Sequence, residues 1–271
     1  MNFSVLISIY KEEKPDNFDL AMKSIWTDQI LRPREIVLVE DGILNQKLYE
    51  VISKWKKTLQ DCLKIIKLEK NSGLGIALNV GLDYCSYAIV ARMDTDDISM
   101  PERFFKQVAI FHDKKIDVCG SWVSEFNNQD DFITFRKTPE EHEQIYLYAK
   151  TRNPINHPSV MFRKNSVERA GGFKEFLFFE DYYLWVRMII NGSRFYNIQE
   201  PLVSMRSGND QYKRRRGLKY FLSEYRLFHR FLNLGFIDYF HFFKITPIRL
   251  IVRIMPNFIV SLIYKLIRRK I

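Results

Sequence analysis

The first half of the chain alternates short, continuous apolar runs with segments of helical period. Residues 3–9, 35–39, 63–68, 88–93 and 118–123 form apolar runs of strand length. Between them, residues 18–29, 44–59, 75–85 and 102–113 repeat their apolar positions every three or four residues, and Pro101 suits the entry of the last. Continuous apolar strands separated by crossover helices predict a parallel sheet covered on both faces, a doubly wound α/β domain. From about residue 124 the rhythm changes. Asn127-Asn128-Gln129-Asp130-Asp131 reads as a turn between two strands, and irregular and helical segments follow. From Gly217 onward, Leu218, Phe221, Leu222, Tyr225, Phe228 and Leu232 make an apolar stripe at helical spacing.

Doubly wound sheets bind ligands at the carboxyl ends of their strands, and polar residues collect there. Tyr10-Lys11-Glu12 follows the first run, Glu40-Asp41-Gly42 the second, Lys70-Asn71-Ser72-Gly73 the third and Asp94-Thr95-Asp96-Asp97 the fourth. Three carboxylates within four residues repel one another unless a cation holds them. Oxygen-only ligands on a short loop suit Mg²⁺ or Mn²⁺ bound with substrate phosphates, although the same loop also reads as a solvated turn capping the next helix. Asp41 could meet a nucleobase or ribose or serve as a turn Asp. Asn71-Ser72-Gly73-Leu74-Gly75 lacks the lysine and glycine pattern of a phosphate loop. Glu180-Asp181 at a helix start could cap that helix or supply a general base. His157 could be an acid/base group or a structural histidine.

Charge changes the picture at one end only. Of 42 Lys+Arg and 32 Asp+Glu in 271 residues, residues 213–271 hold 14 basic and 2 acidic side chains. The body is nearly neutral and the tail strongly basic, unlike a uniformly basic nucleic-acid binder. Cys62, Cys85 and Cys119 have no CxxC spacing, which points to buried thiols in a reducing compartment. The start lacks a basic leader and a long apolar core, so a cytoplasmic protein is expected.

Taken in order, the motifs resemble the family 2 glycosyltransferases, the large inverting group of GT-A fold, over about residues 1–208. The resemblance rests on Ser8-Ile9-Tyr10, Glu40-Asp41-Gly42, and the stretch Asn71-Ser72-Gly73-Leu74-Gly75-Ile76-Ala77-Leu78-Asn79-Val80-Gly81. It continues through the DXD-type Arg92-Met93-Asp94-Thr95-Asp96-Asp97, His157-Pro158-Ser159-Val160-Met161-Phe162-Arg163, Gly171-Gly172-Phe173 and Glu180-Asp181-Tyr182-Tyr183-Leu184-Trp185. Within that family the pattern resembles the amylovoran-type capsule and exopolysaccharide enzymes. The family's mixed sheet flanked by helices would occupy residues 1–210, with a basic amphipathic helical extension over 211–271.

The resemblance also implies roles. Ser8, Tyr10, Glu12 and Asp41 would hold uridine, with Asp41 at the base edge. Lys70, Asn71 and Arg92 would line the nucleotide and its phosphates, and Arg206 would clamp the diphosphate. Asp94 would meet ribose or metal, and Asp96 would bind Mn²⁺ or Mg²⁺. Asp181 would be the general base, with His157, Glu180 and Trp185 on the acceptor side. Lys11 stands where many members carry Asn, and Gln211-Tyr212-Lys213-Arg214-Arg215 departs from the QxxRW of processive synthases. A single-addition enzyme is therefore expected.

Residues 236–271 are rich in Phe, Ile and Leu, but Arg249, Arg253 and Pro256 interrupt them. A bilayer span needs ~20 predominantly apolar residues. A helix lying on an anionic membrane is the expectation, against packing onto the domain or pairing in a homodimer. The whole reading is an inverting, metal-dependent hexosyltransferase. It would carry sugar from a UDP-hexose, galactose first, to a lipid-linked saccharide or oligosaccharide at the inner membrane face, with no nucleic-acid partner. A sugar-1-phosphate nucleotidyltransferase and a non-catalytic, membrane-bound binding protein are the alternatives.

Overall fold

The computed structural model describes residues 1–113, 115–126, 132–207 and 217–254. Strands β1 (Ser4–Ile9), β2 (Glu35–Glu40), β3 (Leu63–Lys67) and β4 (Ile89–Met93) are parallel, in the order β3-β2-β1-β4. Their crossovers carry α1 (Pro15–Trp26), α2 (Gln46–Leu59) and α3 (Leu74–Tyr84). These bounds differ from the apolar pattern by a few residues at most. Both faces of β1 are buried. Phe3, Val5, Ile7 and Ile9 join one core with Phe18 and Met22 of α1, Leu48 and Ile52 of α2, and Phe104 and Phe111 of α4 (Arg103–Asp113). The opposite face receives α3, which touches β1 and β2. Burial on both sides is why these strands read as unbroken apolar runs.

Beyond β4 the sheet departs from the parallel pattern of the apolar runs and becomes mixed, as the family resemblance implied. The one-turn helix His157–Ser159 brings the chain back to the edge where β4 ends, so β8 (Met161–Arg163) runs away from that edge, antiparallel to β4. Next come β6 (Val118–Phe126), antiparallel to β8, and β9 (Phe195–Arg206), parallel to β6. The short β5 (Ile98–Ser99) closes the far side on β9, and β7 (Phe132–Arg136) pairs with β6. The sheet is therefore mixed. Strand β9 is absent from the sequence reading because Gln199-Glu200-Pro201 breaks its alternation. The same point carries the register shifts opposite Trp122. Helices α5 (His142–Ala149), α6 (Lys164–Arg169) and α7 (Glu180–Ile190) complete this part. Cys85 and Cys119 are buried and Cys62 half-buried, none of them in a disulfide, and burial pushes the Cys85 thiol up to about 12.

The chain divides into two compact units. One is Met1–Glu175 with Glu180–Ser207, and the other is Phe176–Phe179 with the chain after Ser207. In the second, α8 (Leu218–Asn233) and α9 (Tyr239–Ile254) form an antiparallel hairpin, in which the Gly217 amide donates to the Arg253 carbonyl at 3.3 Å. Buried Glu224 accepts Arg249 at 3.0 Å and Arg253 at 3.1 Å. The two arginines that interrupt the apolar run in the sequence thus turn into the hairpin, where a buried carboxylate requires a counter-charge. Among the described residues no helix is long and apolar enough to cross a membrane. The turn at 127–131, the 211–215 segment and the apolar run 258–267 lie outside the described residues.

Helix α3 approaches the sheet closely because of Gly81. A Cβ there would stand 2.4 Å from Leu6 Cδ1 and 2.6 Å from Val39 Cγ2, both in fully buried side chains. Gly81→Ala should therefore destabilise the fold by about 1–3 kcal/mol through overpacking. Urea denaturation of the two proteins measures this, and equal midpoints would show that helix and sheet have room to part.

Candidate active site

Parallel strands place the ends of β1, β2, β3 and β4 on one edge, and the four polar loops gather there. The Asp41 carboxylate, buried at the end of β2, accepts the Ser72 amide at 2.7 Å and the Gly73 amide at 3.1 Å. The loops meet only because residue 42 is glycine, at φ +86°. A Cβ would lie 2.6 Å from the backbone nitrogen of Asn71. Asp41 anchors the loop leading into α3 through one amide on each of its two oxygens. Ser8 is half-buried at the end of β1, and Tyr10, Lys70 and Asn71 are exposed.

After β4 the chain crowds acidic groups around one cation. Arg92 is buried within the strand, and its guanidinium makes a two-pronged pair with the Asp94 carboxylate. Arg92 is thus turned away from open solvent and faces Asp94. Burial, with the nearby charges of Asp94 and Glu13, pushes the Asp96 carboxyl up to about 7. Asp97 is buried more deeply and raised well above the usual range, by burial first and then by Asp94 and Asp96. It accepts the Arg206 amide at 2.9 Å, fastening the end of β9 to this loop. The Arg206 guanidinium donates to the Asp96 carbonyl at 3.3 Å and lies 4.5 Å over the Phe126 ring.

Glu13 is the residue the sequence reading missed. It accepts the Thr95 hydroxyl at 2.6 Å, while Glu12 is exposed, 3.8 Å from Lys11. Only the turn closed by the Glu13 amide on the Tyr10 carbonyl, at 3.1 Å, decides which of two adjacent glutamates faces inward. Among the described residues no three His, Cys, Asp or Glu side chains converge as a preformed metal centre. Asp94 faces Arg92 instead.

A second group of residues lines a cleft beside the start of α3. Its walls are Leu74, Gly75 and Leu78 of α3 with His157, Phe173, Glu180 and Asp181. Asp181 stands in the first turn of α7, where its carboxylate accepts Asn153 Nδ2 at 2.7 Å and the Tyr182 amide at 2.7 Å. Burial raises the Glu180 carboxyl, and the charge of Asp181 adds to the effect. Burial, with Arg92 nearby, holds His157 well below its ordinary value, so the imidazole is neutral. Trp185 is fully buried, with ring contacts to His157 at 6.1 Å and Phe173 at 6.5 Å. It backs the cleft from within, through His157 and Phe173.

The Gly171-Gly172-Phe173 turn is held over this cleft from two sides. Asn79 of α3 donates to the Phe173 carbonyl at 2.6 Å and accepts its amide at 2.7 Å. Arg187 of α7 donates to the Gly172 carbonyl at 2.6 Å and to the Ala170 carbonyl. Helix α3 therefore links the loop held by Asp41 to the wall that carries Asp181.

A family model described as glycosyl transferase family 2 matches residues 4–170. The amylovoran biosynthesis glycosyltransferase AmsE of Erwinia amylovora is 39% identical over 267 residues, 97% of this chain and 98% of that protein. A UDP-Gal:alpha-D-GlcNAc-diphosphoundecaprenol beta-1,3-galactosyltransferase of Escherichia coli is 38% identical over 271 residues, covering 99% of this chain and 97% of its own. Among solved structures, S. aureus TarS 1-349 in complex with UDP-GlcNAc is similar in fold, with a TM-score of 0.65 at 18% identity over 92% of this chain and 72% of that one. With a family match across most of the sheet and relatives aligned over nearly their whole length, the chain belongs to glycosyl transferase family 2 and is a glycosyltransferase of GT-A fold.

Proposed function

We propose that the enzyme transfers a hexose, galactose first, from a UDP-sugar to a lipid-linked saccharide during assembly of a surface polysaccharide, with inversion at the anomeric carbon. The observation that carries this reading is the continuity of helix α3. Its leading loop is held by Asp41, and its first turns line the cleft that contains Asp181. The E. coli relative takes UDP-Gal and a diphosphoundecaprenol-linked acceptor by its name, and its near-full-length similarity supports the same donor and acceptor classes here. The reaction would take place at the cytoplasmic face of the membrane, where a peripheral enzyme meets both substrates.

Asp181 serves as the base. It takes the proton of the acceptor hydroxyl as that oxygen forms its bond to the anomeric carbon, while the bond from that carbon to the UDP oxygen breaks. Asn153 fixes one carboxylate oxygen, so the proton goes to a group of set orientation. One displacement inverts the centre and needs no second carboxylate as nucleophile. Neutral His157 packs against Phe173, shaping the acceptor side without adding charge. Lys70 and Asn71, exposed on the loop that Asp41 steadies, are placed to meet the donor phosphates.

The donor set at the end of β4 fits a divalent cation. Burial and neighbouring carboxylates hold Asp96 at about 7, a cost that a hard cation on oxygen ligands relieves. Asp96 and Asp94 would hold Mn²⁺ or Mg²⁺, which when bound neutralises charge on the departing diphosphate.

Purified enzyme assayed for UDP release across UDP-, GDP- and dTDP-sugars, with lipid-linked acceptor, should turn over a UDP-hexose. EDTA should abolish this and Mn²⁺ restore it. Turnover of a GDP- or dTDP-sugar alone would refute the donor assignment. Asp181→Asn should lower kcat by about 10²–10⁴-fold while leaving UDP affinity unchanged in calorimetry. Normal turnover in that variant removes Asp181 as base. Asp41→Ala frees the 71–73 loop and should weaken UDP binding by about tenfold or more, the scale of one charge-assisted hydrogen bond. Unaltered affinity would mean that the loop needs no anchor.

A further inference from the structure

Helix α9 has two unlike sides. Toward α8, Phe242 packs edge-on to Tyr225 at 5.6 Å, and Arg249 and Arg253 close on buried Glu224. The other side is apolar and open to solvent. Tyr239 is 69% exposed, Phe240 72%, Phe243 68%, Ile248 56% and Ile251 52%. Pro247 is exposed on the same side. Counted from Tyr239 these positions fall at i, i+1, i+4, i+8, i+9 and i+12, one arc of a helix. Isolated apolar side chains in water need no explanation, but a continuous arc of three aromatic rings and two isoleucines does.

The charges around the arc indicate what would cover it. Glu224 takes up Arg249 and Arg253, and the remaining described cations of the hairpin, Lys219, Arg226, Arg230 and Lys244, are exposed. Lys244 lies within the arc, 5.9 Å over the Phe240 ring. The hairpin's other acidic residue, Asp238, pairs with His241. An aromatic arc framed by cations matches a bilayer interface of anionic lipid, where rings settle at headgroup depth and each Lys or Arg is drawn to the negative surface. A second copy would instead bring two rims of the same sign together, which costs energy. Nucleic acid would leave the apolar arc uncovered.

We infer that the solvent-facing arc of α9, centred on Phe240 and Phe243, is a docking surface for an anionic lipid bilayer. The hairpin presents its rings outward because its arginines are satisfied inward by Glu224. This inference stands apart from the catalytic reading, because lipid partition and sugar transfer are measured separately.

The test uses the full chain, sedimented with vesicles of phosphatidylglycerol and phosphatidylcholine, or of phosphatidylcholine alone. The wild type should partition to the anionic vesicles, and less so as salt is raised. Phe240→Ser with Phe243→Ser should reduce that partition by about tenfold or more, the effect of withdrawing two rings from an apolar contact. Lys244→Glu should reduce it too. Phe105→Ser, at an exposed ring of helix α4 in the other unit, should leave it unchanged. Phe243→Trp should be quenched by brominated lipid, a readout independent of whether the double variant folds well.

Equal wild-type partition to both vesicle types, or none, overturns the inference. Full binding by a folded double variant also overturns it, since lipid affinity would then lie elsewhere in the chain. A wild-type dimer in sedimentation velocity that the double variant loses, with lipid partition unchanged, reassigns the arc to a second copy.

Discussion

A guanidinium inside a buried strand must be answered by an anion, and much of the edge where the parallel strands end follows from that requirement. Arg92 lies within β4, all of whose residues are buried, and Asp94 supplies the answering charge two residues later. Asp96 and Asp97 follow in the same loop, and their carboxyls are raised by burial first and by the Asp94 charge after it. Beneath them Arg103, fully buried and lowered by burial and by Arg92 to about 9, donates to the Arg92 carbonyl at 2.7 Å. The sheet changes direction at the same place, where the Arg92 amide donates to Val160 at 2.9 Å and β8 departs. One buried charge thus holds the loop at the join between the parallel and antiparallel parts of the sheet.

The same economy appears in the other loops. Asp41 does not point into open space but holds two amides of a neighbouring loop, and Asn79 holds both backbone groups of Phe173. Asn45 caps α2 through the Leu48 amide at 3.0 Å and donates to the Lys11 carbonyl at 3.0 Å. Short polar side chains knit the strand-end loops to one another. The long ones, such as Lys70, remain exposed, where a phosphate can be met without first breaking a bond within the protein.

What could be read from the chain alone follows from how each signal is encoded. Burial on both faces leaves an unbroken apolar run, so β1 to β4 and the helices between them were legible to within a few residues. Strand β9 was not, because the bulge opposite Trp122 takes up Gln199, Glu200 and Pro201 and erases the alternation. The identity of the inward-facing glutamate was hidden because Glu12 and Glu13 are neighbours of identical chemistry, separated only by the geometry of one turn. Trp185 looked like a site aromatic because it follows Glu180-Asp181 in sequence. Helical geometry carries it to the buried side of α7. Arg249 and Arg253 looked like breaks in an apolar run, and their common partner, Glu224, lies some 25 residues earlier on another helix.

The clasp between Asn79 and the Gly171-Gly172-Phe173 turn bears on how such an enzyme can change. Gly172 sits at φ +66°, and a Cβ there would come within 2.6 Å of Asn79 Oδ1. The side chain of one residue fills the space that the other leaves empty, so neither can be exchanged alone. A recombinant that inherits the first four strands from one parent and the later segments from another keeps its two halves in register only if this lock and its key arrive together. Swapping specificity between relatives is therefore a matter of choosing a crossover point that does not separate residue 79 from residue 172.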